Sequence, residues 1–318
     1  AASDVYKRQL MCLRSEVTPM EFPEVKEVIE QAYGCPWNEI FAFISDTPLG
    51  SASIAQVHRA ELLSGEQVVI KVQRTGIYEI MARDIGLLRK AVKLMPPISL
   101  KGMADFDQVL DELWNVTLEE MNFLTEASNM EEFARRNADV VYVRTPKLYQ
   151  EYTTMHVLVM EYIEGPAIDD KEKLLAGGYD LEEIGTKLVD HYIKQVMDDG
   201  FFHADPHPGN VHISDGKIVW IDMGMMGRLS DRDRELISDA IQGIAINDIG
   251  MIQDAVLALG EFRGKPDQSK LYEDISSLMI KYGKLDMGNI DVAEAMQDLM
   301  EVMKTNRISM PHGLTMLA

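Results

Sequence analysis

The stretch 201–224, with the sequence FFHADPHPGNVHISDGKIVWIDMG, restricts the fold of this chain more than any other segment. It holds two carboxylates, Asp205 and Asp222, and between them the amide of Asn210. The residues between Asn210 and Asp222 place apolar side chains on both sides of a Ser-Asp-Gly-Lys turn, which predicts a short β-hairpin. We therefore expect the three polar side chains to lie on short loops beside strands.

The order and spacing of Asp205, Asn210 and Asp222 indicate a site for nucleotide phosphates and a divalent metal ion. Such a site needs an acceptor near the transferred phosphate, an amide oxygen and a second carboxylate. Protein kinases supply these groups from an HRD…N catalytic loop and a DFG metal loop. The corresponding motifs in this chain are HAD…N and DMG.

Two other interpretations of the same stretch stay open at this level. Asp and Asn beside Gly and Pro are common turn residues, so each of them also fits a purely structural role. The pattern H-x-D-x-H-x4-H, formed by His203, Asp205, His207 and His212, also suits a zinc or iron site in a hydrolase. We prefer the nucleotide site because a metal hydrolase leaves a lysine-bearing strand unexplained.

That lysine, Lys71, lies in a predicted strand with the sequence QVVIKVQ, residues 67–73. A lysine in an apolar strand is costly unless its ammonium group meets anions, and nucleotide phosphates together with a helix glutamate provide them. The candidate glutamates, Glu120 and Glu126, lie in a segment that we predict to be one long acidic helix, 106–136. The alternative is an edge-strand lysine that points to solvent.

Two further segments suit the other parts of a nucleotide. The small residues Gly50, Ser51, Ala52 and Ser53 precede a predicted strand, 54–62, and let the backbone approach another group closely, with amides that suit an anion. A buried strand predicted over 157–162 ends in Glu161, Tyr162 and Ile163. This end is typical of a hinge between two lobes, where the backbone can hydrogen-bond the edge of an adenine.

The remaining segments are predicted mainly from apolar periodicity. Short strands are expected over 140–143 and 147–151. Helices are expected over 21–33, 77–95, 181–199, 231–246, 248–259, 270–282 and 292–303, and residues 1–9 show no amphipathic period.

Composition limits the partners and the compartment. The 318 residues are 46% hydrophobic and carry 31 basic against 52 acidic side chains, a net charge of -21. This charge disfavours nucleic acid and anionic lipid as partners of the whole surface, but it permits ATP, whose charge is met locally. Two cysteines, Cys12 and Cys35, indicate no disulfide framework and fit a reducing compartment. We find no signal peptide and no run of 18 apolar residues.

Six segments together resemble one family. They are PLGSASIAQVHRA, VVIKVQRTGI, EEMNFLTEASN, VMEYIEG, FFHADPHPGN and IDMGMMGRL, and they resemble the UbiB family of atypical protein-kinase-like ATPases, the coenzyme Q biosynthesis kinases. The resemblance implies an α+β, bilobal protein-kinase-like fold with a small β-rich N-lobe, a mostly helical C-lobe and extra N-terminal helices. We expect the helical extension over 1–47, the N-lobe with inserted helices over 48–163 and the C-lobe over 164–318.

The resemblance also implies a role for each site residue. Lys71 would hold the α and β phosphates and Glu126 would pair with it, while Asp205 would be the catalytic-loop aspartate. Asn210 and Asp222 would be the magnesium ligands. Residues 50–53 would replace the family's Ala-rich loop, and Glu120 would belong to its E-x-D motif, whose Asp position is occupied here by Asn122.

The implied function is that of a Mg-dependent, ATP-binding atypical kinase or ATPase that supports isoprenoid quinone biosynthesis or related membrane lipid metabolism. Lipid or quinone precursors and biosynthetic proteins are the implied partners, in the bacterial cytoplasm or at the cytoplasmic face of its membrane. The family's K-x-G-Q motif has no match before Pro48, and the C-terminal transmembrane hairpin is not reached, both of which we read as truncation. A nucleotide-gated scaffold and a His/Asp metallohydrolase are the alternatives. Ordinary protein kinase activity is not expected, because 225–229 leaves little room for an activation loop.

Overall fold

The computed structural model describes residues 18–94, 106–262, 266–282, 298, 301–303, 305–306 and 308–309. The chain has an α+β, kinase-like fold, as predicted. It divides into two compact units, one formed by residues 1–179 with 207–225 and the other by residues 180–206 with 226–318. The lobe boundaries expected from the sequence stay a prediction.

A five-stranded antiparallel sheet forms the centre of the first unit. Its strands are β1 (Phe41–Ile44), β2 (Gly50–Ser51), β3 (Ala55–Leu62), β4 (Gln67–Gln73) and β6 (Val157–Glu161). The order is β1-β3-β4-β6, and β2 pairs with β3 beside β1. Because Lys71 of β4 is paired with Val57 on one side and Leu158 on the other, it lies in an interior strand and not at an edge.

Helix α1 (Phe22–Tyr33) covers one face of this sheet. Its buried residues Val25 and Ile29 are one turn apart and pack into a core that contains Phe41, Leu62 and other strand residues. The helix ends at Gly34, which has a left-handed φ of 70° and donates its N–H to the carbonyl of Glu30.

The predicted helix 106–136 is wrong as one element, because it is interrupted. Helix α2 (Ile77–Leu94) is followed by α3 (Phe106–Glu120) and α4 (Phe123–Arg136). Asn122, between α3 and α4, is extended, and its side chain accepts the N–H of Leu124 at 3.1 Å as an N-cap. The side chain of Gln73 binds the carbonyl of Met121 at 2.7 Å, so the break satisfies its polar backbone groups.

A second, three-stranded sheet of this unit contains the predicted hairpin. It consists of β5 (Val143–Arg144), β9 (Lys217–Trp220) and β8 (Val211–Ser214), in that order. Asp215 and Gly216 connect β8 to β9 with positive φ angles of 51° and 73°, the conformation of a tight two-residue hairpin turn. The strand expected over 147–151 is wrong, since residues 150–152 form a 3-10 turn. This unit also contains a short helix, α5 (Lys171–Ala176).

The second unit is mainly helical. Helix α6 (Leu181–Ile193) continues into a π-helical turn (Lys194–Asp199), and a two-stranded sheet joins β7 (Phe201–His203) to β10 (Met226–Arg228). Helices α7 (Asp231–Ile246), α8 (Ile249–Leu259) and α9 (Gln268–Tyr282) follow, and β11 (Glu261–Phe262) pairs with β12 (Ile308–Ser309). Most of the helix expected over 292–303 and all of residues 1–9 lie outside the described residues.

No helix within the described ranges is both long enough and apolar enough to cross a bilayer.

Candidate nucleotide-binding site

The first unit contains a cavity of about 480 Å³ beside the strand that carries Lys71. A volume of this size suits a small-molecule ligand. The predicted site residues that line it are Gly50, Lys71, Glu126, Glu161, Tyr162, Ile163, Asn210 and Asp222. Ser51, Ala52 and Ser53 are also described by the structure, but they are not part of this lining.

Lys71 forms the charged centre of the cavity. Its Nζ lies 2.8 Å from Oε2 of Glu126 and 3.5 Å from Oδ2 of Asp222. Burial by itself lowers the pKa of Lys71, but the two carboxylates outweigh burial and hold this pKa above its usual range. The side chain is therefore an ammonium ion, and its residue lies between the apolar Ile70 and Val72 of β4.

Glu126, in the first turn of α4, forms the shorter of the two ion pairs of Lys71. Its side chain is only 5% exposed. Burial raises the pKa of Glu126, Lys71 opposes the shift, and the charge of Asp222 adds to it. Within the described residues, Oε1 of Glu126 has no hydrogen-bond partner, although buried carboxylate oxygens are normally satisfied. A polar ligand in the cavity would supply the missing contact.

Glu120 belongs to the same electrostatic cluster, but the close ion pair of Lys71 is with Glu126. Burial raises the pKa of Glu120, with Lys71 lowering it and Asp222 raising it. Both candidate glutamates therefore lie near the lysine, at opposite sides of the break between α3 and α4.

The Asp-Met-Gly loop is held against α4. Oδ1 of Asp222 accepts the N–H of Gly224 at 2.9 Å, and Nδ2 of Asn129 donates to the carbonyl of Met223 at 3.0 Å. A Cβ on Gly224 would lie 3.1 Å from Oδ1 of Asp222, so a larger residue would disturb this carboxylate. Asn129 was not predicted from the sequence, although its position three residues after Glu126 places both on one helix face.

Asn210 is brought next to Asp222 by backbone contacts. It ends a short 3-10 turn (Pro208–Asn210), and its carbonyl accepts the N–H of Ile221 at 3.0 Å. An amide oxygen and a carboxylate at neighbouring positions are the hard oxygen donors that Mg²⁺ prefers. Together with the ammonium of Lys71 in the same cavity, these residues fit a magnesium-bound phosphate chain.

The alternative histidine metal site is not formed among the residues that the structure describes. No group of three or more His, Cys, Asp or Glu side chains there could hold a metal ion. Nδ1 of His207 accepts the N–H of Gly209 at 3.0 Å, and Nδ1 of His203 accepts the N–H of Asp205 at 3.2 Å. Both histidines thus organise their own loop.

Three groups of the predicted hinge form hydrogen bonds within the protein: the carboxylate of Glu161 and the backbone N–H groups of Glu161 and Tyr162. The N–H groups of Glu161 and Tyr162 donate to the carbonyls of Lys147 and Gln67, at 2.8 Å and 3.1 Å. The Glu161 carboxylate accepts from Arg144 at 2.8 Å. The N–H groups of Glu161 and Tyr162 are therefore already used in hydrogen bonds within the protein.

Asp205 belongs to the second unit, where a buried network fixes its loop. The N–H of His203 donates to Oε1 of Gln195 at 2.9 Å, and the carbonyl of His203 accepts from the hydroxyl of Tyr192 at 3.1 Å. Gln195, in the π-helical turn, also contacts Nδ1 of the buried His191 at 3.1 Å. Such turns are frequent at functional sites.

The α+β fold and the lysine–glutamate pair beside an Asp-Met-Gly loop define a kinase-like domain. Residues 12–256 match the ABC1 atypical kinase-like domain. The chain belongs to this ABC1 atypical kinase-like family, and the resemblance to the UbiB proteins is confirmed.

Two curated relatives and one solved structure illustrate the similarity. The chain is 37% identical, over 98% of its length and 59% of the relative, to a Clostridium pasteurianum protein described as "Uncharacterized protein in hydrogenase 1 5'region". It is 35% identical, over 80% of its length and 34% of the relative, to the chloroplastic protein ACTIVITY OF BC1 COMPLEX KINASE 8 of Arabidopsis thaliana. The chain thus spans less than two thirds of either relative.

The solved structure is that of Rv3197 of Mycobacterium tuberculosis with erythromycin. It has a TM-score of 0.68 and 23% identity, and it covers 98% of this chain and 79% of that chain. At this identity the similarity concerns the fold alone.

Proposed function

We propose that this protein is a Mg²⁺-dependent enzyme that binds ATP in the cavity around Lys71 and transfers its γ-phosphoryl group. The observation that carries the proposal is the position of Lys71, which contacts Glu126 and lies 3.5 Å from Asp222 within one cavity. Family membership supports the same role.

Each residue has a distinct part in this proposal. The Lys71 ammonium binds the α and β phosphates, and Glu126 keeps it in place. Asn210 and Asp222 would hold a magnesium ion, and a bound Mg²⁺ would supply charge neutralisation at the phosphates. Asp205 orients the attacking hydroxyl or water and accepts its proton, while the bond between the γ-phosphorus and the leaving oxygen of ADP breaks and a bond to the acceptor oxygen forms.

The acceptor is water or a small molecule, with a precursor of an isoprenoid quinone or a membrane lipid as the proposed class. This part rests on the resemblance to the UbiB family. The short connection from the Asp-Met-Gly loop through β10 to Ser230, the N-cap of α7, supports a small acceptor over a peptide.

The first experiment is a thermal-shift titration with ATP, with and without Mg²⁺. The wild-type melting temperature is expected to rise with MgATP, and this rise should disappear in Lys71→Ala and Asp222→Asn and on addition of a chelator. Lys90→Ala, which removes an exposed lysine of α2, is the matched control and should keep the full rise. An undiminished rise in Lys71→Ala would contradict the proposal.

Turnover separates the enzyme from a nucleotide-gated scaffold. Asp205→Asn is expected to retain MgATP binding and to lose about a hundredfold or more of the ATP hydrolysis rate, because the proton acceptor is gone. A wild-type protein that binds MgATP but hydrolyses it no faster than background would instead be a scaffold.

A further inference from the structure

Arg74 lies just after β4, three residues beyond Lys71, and binds the small-residue loop 50–53 with its side chain. Its Nε donates to the carbonyl of Ala52 at 2.7 Å, and one terminal nitrogen donates to Oγ of Ser51 at 2.5 Å. Its backbone N–H also donates to the carbonyl of Ile54 at 2.9 Å. One residue therefore contacts three of the four residues from 51 to 54.

The loop bound in this way is the end of a hairpin. Strand β2 pairs with β3, and the N–H of Ala52 donates to the carbonyl of Ala55 at 2.8 Å, which closes the turn. The described chain has no cis peptide bond. Because a trans peptide points its carbonyl and N–H in opposite directions, the Ala52 carbonyl at the guanidinium turns the N–H of Ser53 away from it. Arg74 thus fixes the direction of a loop amide.

The guanidinium of Arg74 also binds a second segment, which contains Thr18. Its other terminal nitrogen donates to the carbonyl of Thr18 at 3.1 Å. Two residues further on, Met20 is bound by Gln56 through both its N–H, at 2.7 Å, and its carbonyl, at 3.3 Å. Gln56 is fully buried in β3, so the segment that contains Thr18 and Met20 is bound to the sheet.

An arginine is required for this set of contacts. Its planar guanidinium offers five donors in a fixed fork, and here three nitrogens reach three different oxygens. A lysine ammonium is a single point of charge and cannot span acceptors on two separate segments in the same way.

We propose that Arg74 is a positioning residue for the nucleotide phosphates, which deepens the proposed function and rests on it. Arg74 and Lys71 lie on one short run of chain, so the loop that Arg74 binds keeps a fixed position relative to the lysine. Gly50, at the start of the loop, lines the cavity with Lys71. A loop fixed before binding does not lose conformational entropy when the phosphates arrive, and this increases affinity for them.

The test compares a ligand that has phosphates with one that lacks them. Calorimetric titrations with MgATP and with adenosine are made on the wild type, Arg74→Met and Arg74→Lys. Arg74→Met is expected to weaken MgATP binding about tenfold and to leave adenosine binding unchanged, with Arg74→Lys in between. The control Arg136→Met removes an arginine that pairs with Glu132 within α4, and it should change neither affinity.

A double-mutant cycle tests the contact itself. Because Ser51 accepts from Arg74, the combined loss of MgATP affinity in Arg74→Met with Ser51→Ala should be smaller than the sum of the two single losses. Thermal unfolding of each variant shows that it is folded.

Two results would contradict the role proposed for Arg74, and a third would contradict the proposed function. An equal loss of MgATP and adenosine affinity in Arg74→Met would mean a general structural role, and tighter MgATP binding would mean that the arginine holds the loop away from the nucleotide. Either result overturns the inference and leaves the proposed function standing. A wild type that binds no MgATP overturns the proposed function, and the inference with it.

Discussion

At the scale of single residues, one partly buried and one fully buried ionisable group respond to the loss of water in opposite ways. Lys71 keeps its charge because Glu126 and Asp222 compensate the loss of water. His191 is fully buried, and burial followed by the charge of Lys194 lowers its pKa from 6.5 to about 4. Its neutral ring accepts from Gln195, which in turn binds the backbone of His203.

The lowered pKa of His191 predicts that the free energy of unfolding depends on pH. Above pH 6.5, His191 is neutral in both states and its contribution is complete. As the pH falls from 6.5 towards 4, the histidine is protonated in the unfolded state but stays neutral in the folded state. The free energy of unfolding therefore decreases, by about 3 kcal/mol at pH 4 relative to neutral pH.

Urea unfolding of the wild type and of His191→Gln measures this effect. Between pH 7 and pH 5 the wild type should lose about 2 kcal/mol more than the variant, because glutamine does not titrate. Replacing the exposed His156 by Gln controls for the loss of an imidazole. Equal losses in wild type and His191→Gln would show that another group causes the acid sensitivity.

At the scale of elements, α4 connects two parts of the candidate site. Glu126 reaches Lys71 from this helix, and Asn129, three residues later, binds the carbonyl of Met223. The helix can start where it does because Asn122 caps it and Gln73 binds the carbonyl of Met121, the residue before the cap. The break after α3 therefore sets which glutamate faces the lysine.

This arrangement predicts that Asn129 acts on the metal loop. Asn129→Leu removes the hydrogen bond to Met223 at similar volume, so Asp222 should be held less firmly. We expect MgATP affinity to fall about fivefold, the effect of one hydrogen bond, while ATP affinity without Mg²⁺ stays the same. Titrations with and without Mg²⁺ measure both values.

Ser128→Ala, at the exposed neighbouring position of α4, is the control. If Asn129→Leu weakened ATP binding equally with and without the metal, the role of Asn129 would be general support of α4.

At the scale of the whole molecule, the dominant property is the net charge of -21. A surface of this sign repels polyanions, whereas the phosphates of one nucleotide meet the local charge of Lys71. We therefore expect no electrophoretic mobility shift of double-stranded DNA at about 50 mM salt, where nonspecific binding is strong. A shift that disappears at higher salt would reveal a basic surface that the overall charge conceals.

Much of the fold could be predicted because its signals are local. The helix predicted over 231–246 has these bounds in the structure, since Ser230 and Asp233 form a capping box and Asn247 takes a left-handed φ of 57°. The hairpin turn at Asp215 and Gly216 follows from residues that accept positive φ. The failures lie where distant groups decide, as at the break between α3 and α4.

The sequence by itself determined the polar residues of the candidate site and their order, because these are fixed by the chain. The residues alone left Glu120 and Glu126 open as the partner of Lys71, and the family resemblance implied Glu126. Only the tertiary structure brings Glu126 to Lys71, Asn129 to the metal loop, and Arg74 to Ser51 and Ala52. Each of these contacts joins residues more than 20 positions apart in the chain. Periodicity and propensity describe only near neighbours, so such contacts appear when the sheets and helices pack.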